Sequence, residues 1–210
     1  MKYHFLPLFF FFLIGCQPKD TQTTTRQQMA RELDSLYQVN QKVEAWYSQQ
    51  LSVFGWDSPE HFAAMDSLIF VDSTHVGAIL RMVETAGGYP GADWVGDSLK
   101  EVAFRILRLS PPDPEGQYAQ LFLQAAKQGD LPVEEAAEYE DKFLSHYSKP
   151  QKYGTQVNQF EILDSATGQF NLKTIALPIQ DTVGIDSLRA TMGLGPWEDY
   201  LNGFGISRWE

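Results

Sequence analysis

Gln151, Tyr153, Thr155 and Gln156 place four side chains that both donate and accept hydrogen bonds within six residues. They surround Gly154 in the stretch Pro150-Gln151-Lys152-Tyr153-Gly154-Thr155-Gln156, where a glycine lets a backbone or a ligand approach closely. Such a cluster can grip a small polar ligand. It can equally pin a strand to its neighbours, and spacing alone leaves both open. Just upstream, Glu134, Glu138 and Asp141 recur at steps of four and three along one side of a helix, with Lys142 beside Asp141 and His146 about a turn further on. Paired carboxylates can act as acid and base or hold a hard cation. In so acidic a chain they read as a solvated face, and no metal or cofactor is expected.

The elements that must position these residues follow from periodicity. Pro150 lacks an amide donor and clashes with a preceding turn, so the helix that starts near Val133 and turns Ala136, Ala137, Phe143, Leu144 and Tyr147 toward a core must stop there. Further upstream, Met29, Leu33, Leu36, Val43 and Tyr47 form one stripe of a long helix to about Leu51. Asn40 falls on that stripe and is expected to turn to the surface. Ser58-Pro59-Glu60 is a helix start, His61 beside it is expected at the surface, and His75 has no partner at ligand spacing. That helix, with Val76, Ile79, Leu80 and Val83, ends at Gly87-Gly88. A core helix is expected through Val95, Leu99, Val102, Ala103 and Ile106, and another from Asp113-Pro114-Glu115 to Gly129.

After Pro150 the period changes to two, from Tyr153 to Leu163 and from Gln169 to Ile179 around a turn-rich Asp164–Gly168, which predicts a β-hairpin. A shift of apolar parity predicts a bulge near Lys173-Thr174. A short helix over Asp186–Met192 and a last turn over Pro196–Leu201 complete the chain. The expected fold is α+β: one mostly helical domain over residues 29–210, with a C-terminal hairpin at about 153–179 following the Q-x-Y-G-T-Q motif.

The chain has 210 residues and a formal net charge of -11, which disfavours nucleic acid as a partner. At the N-terminus, Lys2 precedes an apolar run from Leu6 to Ile14, broken only by Pro7. That run is shorter than the roughly 20 residues a spanning helix needs, and residues 1–15 fit a secretory signal. Leu13-Ile14-Gly15-Cys16 resembles the lipobox of bacterial lipoproteins, which implies cleavage before Cys16 and its modification by lipid. Cys16 is the only cysteine, so an intramolecular disulfide and a Cys-based metal cluster are both excluded. Gln17 stands where the enterobacterial sorting rule would want Asp for inner-membrane retention, so the outer membrane is expected over the inner. Residues 16–28, polar and threonine-rich, are expected to be a flexible tether.

Several pieces then occur in a telling order: Gly88-Tyr89-Pro90 with Val95-Gly96, Asp113-Pro114 with Gln117, Glu140-Asp141, the Q-x-Y-G-T-Q hexapeptide, Leu177-Pro178-Ile179, and Arg189 with Gly193-Leu194. Over roughly Leu33 to Leu201 this resembles a bacterial family known as domain of unknown function 6624. The resemblance implies a fold and a site location but no reaction. Many members carry Gln-His where this chain has Arg108-Leu109, and Asp-Arg where it has Asp141-Lys142. Leu109 has no titratable atom, so a proton-transfer group near neutral pH is missing at that position. Lys142 keeps a positive charge without the planar fork that grips a carboxylate in two places.

Three functions fit these residues. The first is a non-catalytic, membrane-anchored envelope lipoprotein that binds an unknown protein or small polar ligand beside Gln151, Tyr153, Thr155 and Gln156. The second is a hydrolase-like enzyme using Asp141, Lys142 and Tyr153, with His146 as base. The third is a purely structural envelope protein. The chain contains no Walker loop, no G-x-S-x-G elbow, no H-E-x-x-H and no dinucleotide fingerprint, so no catalytic residue is assigned.

Overall fold

The computed structural model describes residues 19–206 apart from 164, 166 and 167. The signal segment 1–15, Cys16 and part of the hairpin turn therefore lie outside the described residues. The first two helices, α1 (Lys19–Phe54) and α2 (Pro59–Ala86), form a long antiparallel pair. Their contact seam is legible as a heptad: Met29, Leu33, Leu36, Asn40, Val43 and Tyr47 on α1 meet His61, Met65, Leu68, Asp72, His75, Ile79 and Met82 on α2. Ser58 caps α2 by accepting from the His61 amide at 3.1 Å, and Gly87 closes it in the left-handed region at φ 71°. By length and composition α2 could cross a membrane, yet here it pairs with α1 and its second half enters the core.

Two residues expected at the surface belong to this seam. Asn40 is buried, donates from Nδ2 to Asp72 Oδ1 at 3.1 Å and bonds His75 Nδ1 through its Oδ1. Asn40 and His75 are shielded from water there, with Asp72 half-buried beside them, so the three polar groups bond one another. His61 is also buried, with Nδ1 bonded to the Trp56 carbonyl at 2.7 Å and Nε2 to the Tyr47 hydroxyl at 3.2 Å, which locks the link between the helices. The expected flexible tether is helical from Lys19 onward. Its residues extend a helix already nucleated by the packing of Met29 and Leu33, and Arg26 stacks over the Trp94 ring at 5.1 Å.

The first half of α1 and the second half of α2 cover a body built from α3 (Ala92–Val95), α4 (Val102–Leu107), α5 (Gln117–Gln128) and α6 (Val133–His146). The continuous helix expected through Val95 and Ile106 is broken after Gly96, which sits at φ 85° and turns the chain into α4. Phe122 centres the core, edge-on to Phe104 at 4.8 Å and to Tyr139 at 4.7 Å between ring centroids. Asp113 holds the start of α5 by accepting from the Gln117 and Tyr118 amides at 2.7 and 2.9 Å.

The rest of the chain forms a smaller second core. Strands β1 (Val157–Leu163) and β2 (Phe170–Ala176) pair antiparallel from Val157↔Ala176 to Leu163↔Phe170 without interruption. There is no bulge at Lys173-Thr174. The parity shift instead marks where the hairpin passes from a solvated end, with Phe160, Ile162, Phe170 and Leu172 exposed, to a base packed on α7 (Ile185–Thr191) and α8 (Trp197–Asn202). Ile185, Trp197, Leu201 and Ile206 fill this core against Val157, Ala176 and Ile179. The architecture is α+β, mostly helical with one C-terminal hairpin.

Candidate functional site

Helix α6 ends at His146, four residues before Pro150. Ser148 takes a left-handed conformation at φ 55°, and the Lys149 amide closes back on the Leu144 carbonyl at 2.8 Å. The chain then doubles back along α6, so residues 151–156 lie between the two cores.

Asp141, with 0 % of its surface exposed, is the anchor. Its Oδ1 accepts from the Lys152 amide at 2.7 Å, its Oδ2 from the Thr155 amide at 3.0 Å and Thr155 Oγ1 at 2.9 Å, and both share the Tyr153 amide at 3.2 Å. Burial raises the carboxyl's pKa above its ordinary value, while these donors pull it down. Gln151, 1 % exposed, clamps the far end of the strap. Its Nε2 donates to the Gln156 and Leu177 carbonyls at 3.1 and 3.0 Å, and its Oε1 accepts from the Gln156 amide at 2.6 Å. The Gln151 backbone bridges to Ile179 through the Pro178 carbonyl and the Gln180 amide, each at 2.8 Å.

The second core holds the strap from the other side. Arg189, buried on α7, donates from Nη1 to the Tyr153 carbonyl and from Nε to the Gly195 carbonyl, both at 2.6 Å. Tyr200 donates its hydroxyl to the Thr155 carbonyl. Gly154 sits at φ 64°, and a Cβ there would lie 2.5 Å from Trp197 Nε1. The glycine is therefore required twice, by conformation and by contact. Tyr153 is buried with its hydroxyl on Glu140 Oε2 at 3.2 Å, and Glu140 also takes the Lys152 ammonium. Burial and the Glu140 and Asp141 charges push the Tyr153 phenol's pKa up.

Of the expected ligand contacts, Gln151, Tyr153 and Thr155 thus point inward with their polar atoms bonded within the chain. This removes the geometric basis for contact with a ligand at those three. The acid–base set Asp141, Lys142, Tyr153 and His146 is dispersed: Asp141 and Tyr153 are interior, while His146 is exposed and edge-on to the Tyr147 ring at 4.9 Å.

Gln156 and Lys142 emerge elsewhere, in a cleft of about 240 Å³ between α4 and α6 lined also by Phe104, Arg108, Leu109, Glu135, Glu138 and Tyr139. Gln156 Nε2 bonds the Glu138 carbonyl at 3.3 Å and Thr155 Oγ1 at 3.2 Å. The Lys142 ammonium donates to the Arg108 carbonyl and lies 5.6 Å from the centre of the Tyr139 ring. Arg108 reaches Glu135 at 3.7 Å. Burial, and then the Arg108 charge, lower the Lys142 pKa; burial and the neighbouring Glu135 and Glu134 raise that of Glu138, with Arg108 opposing. Past Arg108, Leu109 and Glu135 the cleft continues into a recess of about 270 Å³ against Tyr37, Gln41 and Glu44 of α1.

The sequence did not single out Phe104, Glu135 or Tyr139, whose types carry no motif. It did mark this place indirectly, because Arg108, Leu109 and Lys142, where the chain departs from the resembled pattern, all line the one cleft. Among the described residues no cluster of three or more His, Cys, Asp or Glu side chains could hold a metal ion. No curated protein matches the chain, and no solved structure does. Residues 28–205 match the family described as "Family of unknown function (DUF6624)". With that match spanning both cores and the strap between them, the chain belongs to this family.

Proposed function

We propose that this protein is a non-catalytic binding module of the bacterial cell envelope, lipid-anchored through Cys16 to a membrane, the outer one over the inner, that takes a small polar ligand in the cleft beside Gln156. The observation that carries the reading is the pair of cations, Arg108 and Lys142, facing one cleft in a chain of net charge -11. They disfavour each other, since the Arg108 charge lowers the Lys142 pKa. An anionic group between them would relieve that repulsion and draw charge-assisted hydrogen bonds from both. Glu138 and Glu135, the latter also paired with Arg108 at 3.7 Å, suit with the Gln156 amide a cationic or amide group on the same ligand. A volume of about 240 Å³ fits a molecule the size of an amino acid or a short peptide end. Among the described residues no Ser, Cys or His lines the cleft, so the arrangement offers charge and shape rather than a nucleophile with its base.

The test is a thermal-shift and calorimetric screen with single amino acids and dipeptides. At least one zwitterion should raise the melting temperature, and Lys142→Met and Arg108→Ala should each remove that effect. Absence of any shift from the whole panel would refute the cleft as a ligand site. The anchor is tested separately: Cys16→Ser should release the protein from the membrane fraction, and unchanged partitioning would refute lipidation.

The hydrolase-like alternative is favoured by one observation, the lowered pKa of Lys142 and the raised pKa of Glu138 in the same cleft. It requires turnover of a dipeptide or ester probe that Lys142→Met abolishes; binding without turnover decides for the module.

A further inference from the structure

The turn from α2 into α3 walls a second pocket, of about 250 Å³, which shares no lining residue with the cleft beside Gln156. That is the room of roughly eight waters, enough for one small polar molecule. Gly88-Tyr89-Pro90, a piece of the family pattern that the first cleft does not use, runs through this turn. The wall is fixed at both ends. The Tyr89 hydroxyl donates to the Lys100 carbonyl at 2.5 Å and accepts from the Phe104 amide at 3.2 Å, and Asp130 Oδ1 takes the Ala92 amide at 2.8 Å. Asp130 lies so close to Gly91 that a Cβ there would fall 2.0 Å from its Oδ2, so no side chain fits at that position.

Arg26 lines this pocket with its guanidinium stacked on Trp94. Stacking uses the face of a guanidinium and leaves its in-plane N–H groups to donate. Yet the Arg26 Nε is buried without a hydrogen-bond partner, in a chain whose 27 Asp and Glu outnumber its 16 Lys and Arg. Asp93 and Asp130 line the same pocket, and among the described residues neither forms an ion pair with Arg26. Charges that neutralise each other across a pocket leave nothing for a ligand, whereas a cation and carboxylates held apart match a molecule that carries both signs. We infer that this pocket binds a small zwitterion, its anionic group on the Arg26 guanidinium and its ammonium on Asp93 and Asp130. The exposed amides of Gln124 and Gln128, one turn apart on α5, suit the polar atoms between. Such a zwitterion has two sources, a free amino acid or the phosphoethanolamine end of a lipid. Arg26 follows Cys16 by ten residues, and with the chain helical from Lys19 it stays within about 20 Å of Cys16. The lipid source rests on the anchor proposed above; the pocket itself does not.

The experiment is calorimetric titration of the full chain carrying Cys16→Ser and Lys142→Met, so that the cleft beside Gln156 does not contribute. The probes are glycine, O-phosphoethanolamine and soluble dihexanoylphosphatidylethanolamine, with acetate, inorganic phosphate and methylammonium as the separate halves. At least one zwitterion should bind with a Kd of about 1 mM or tighter, and its halves about tenfold more weakly or worse. Arg26→Met and Asp93→Asn should each weaken that binding about tenfold or more, the worth of one charged hydrogen bond. Asp93 is exposed, so Asp93→Asn should melt as the parent does, and a merely structural role for the Arg26–Trp94 stack would leave its affinity unmoved. Tighter binding of the lipid than of glycine assigns the headgroup as the source, and the reverse assigns a free amino acid. Binding of none of the three zwitterions overturns the inference, and so does binding that survives Arg26→Met and Asp93→Asn.

Discussion

Asp141→Asn is the sharpest perturbation of this fold, because it changes one atom in a buried site that receives four donors. In the parent each carboxylate oxygen accepts: Oδ1 from the Lys152 amide, Oδ2 from the Thr155 amide and hydroxyl, and both from the Tyr153 amide. An asparagine must set its NH2 group against one of these sets. Whichever way it turns, at least one backbone N–H faces another donor with no water to replace the lost acceptor; Thr155 Oγ1 alone can rotate to accept. A buried amide left unpaired costs about 1–3 kcal/mol, and the loss of the charge weakens the remaining bonds. The expected destabilisation is about 2–5 kcal/mol. For a domain of this size each kcal/mol lowers the melting temperature by about 2–4 °C, so the variant should melt roughly 4–20 °C below the parent. Urea titration monitored by tryptophan fluorescence gives the same quantity independently, and Trp197, packed on Gly154, reports on the strap itself. An Asp141→Asn protein melting within about 1 °C of the parent would refute the claim that this carboxylate joins the two cores.

Gln151→Ala should cost about 2–4 kcal/mol by stranding the Gln156 amide and two carbonyls, whereas Gln156→Ala, at the cleft, should cost under about 1 kcal/mol; chemical denaturation of both variants checks the contrast. Gly154→Ala should cost about 2–4 kcal/mol, from the left-handed φ and the contact with Trp197, and a melting temperature equal to the parent's would contradict the geometry. Burial lowers the pKa of His75 below its ordinary value of 6.5, so its share of stability is complete above that value and lost as pH falls through it toward the lowered folded pKa. The triple variant Asn40→Leu/Asp72→Leu/His75→Leu, which removes every member of the polar group, should therefore be at least as stable as the parent near neutral pH and should lack the parent's decline between about pH 7.5 and 5.5, followed by thermal melts across that range.

The sequence by itself determined the elements whose causes are local. Ser58 and Pro59 start α2 and Gly87 ends it, because caps and glycine act on the nearest turn. The heptad of α1, the hairpin and the end of α6 before Pro150 were legible for the same reason. Only the tertiary structure decided which polar residues face inward. Asn40 and His61 look like surface residues until α1 and α2 are laid together, and each is then satisfied by a partner on the other helix or the link. The hexapeptide was found as a motif, but spacing along a chain does not say whether a side chain meets solvent or a carboxylate. Asp141, ten residues before Gln151, settles that for Thr155 and the strap backbone, and Arg189, thirty-six residues after Tyr153, locks it from the other side. The cleft belongs to the same class. Arg108, Lys142 and Gln156 come from three separate segments, and no local rule puts their charges in one place.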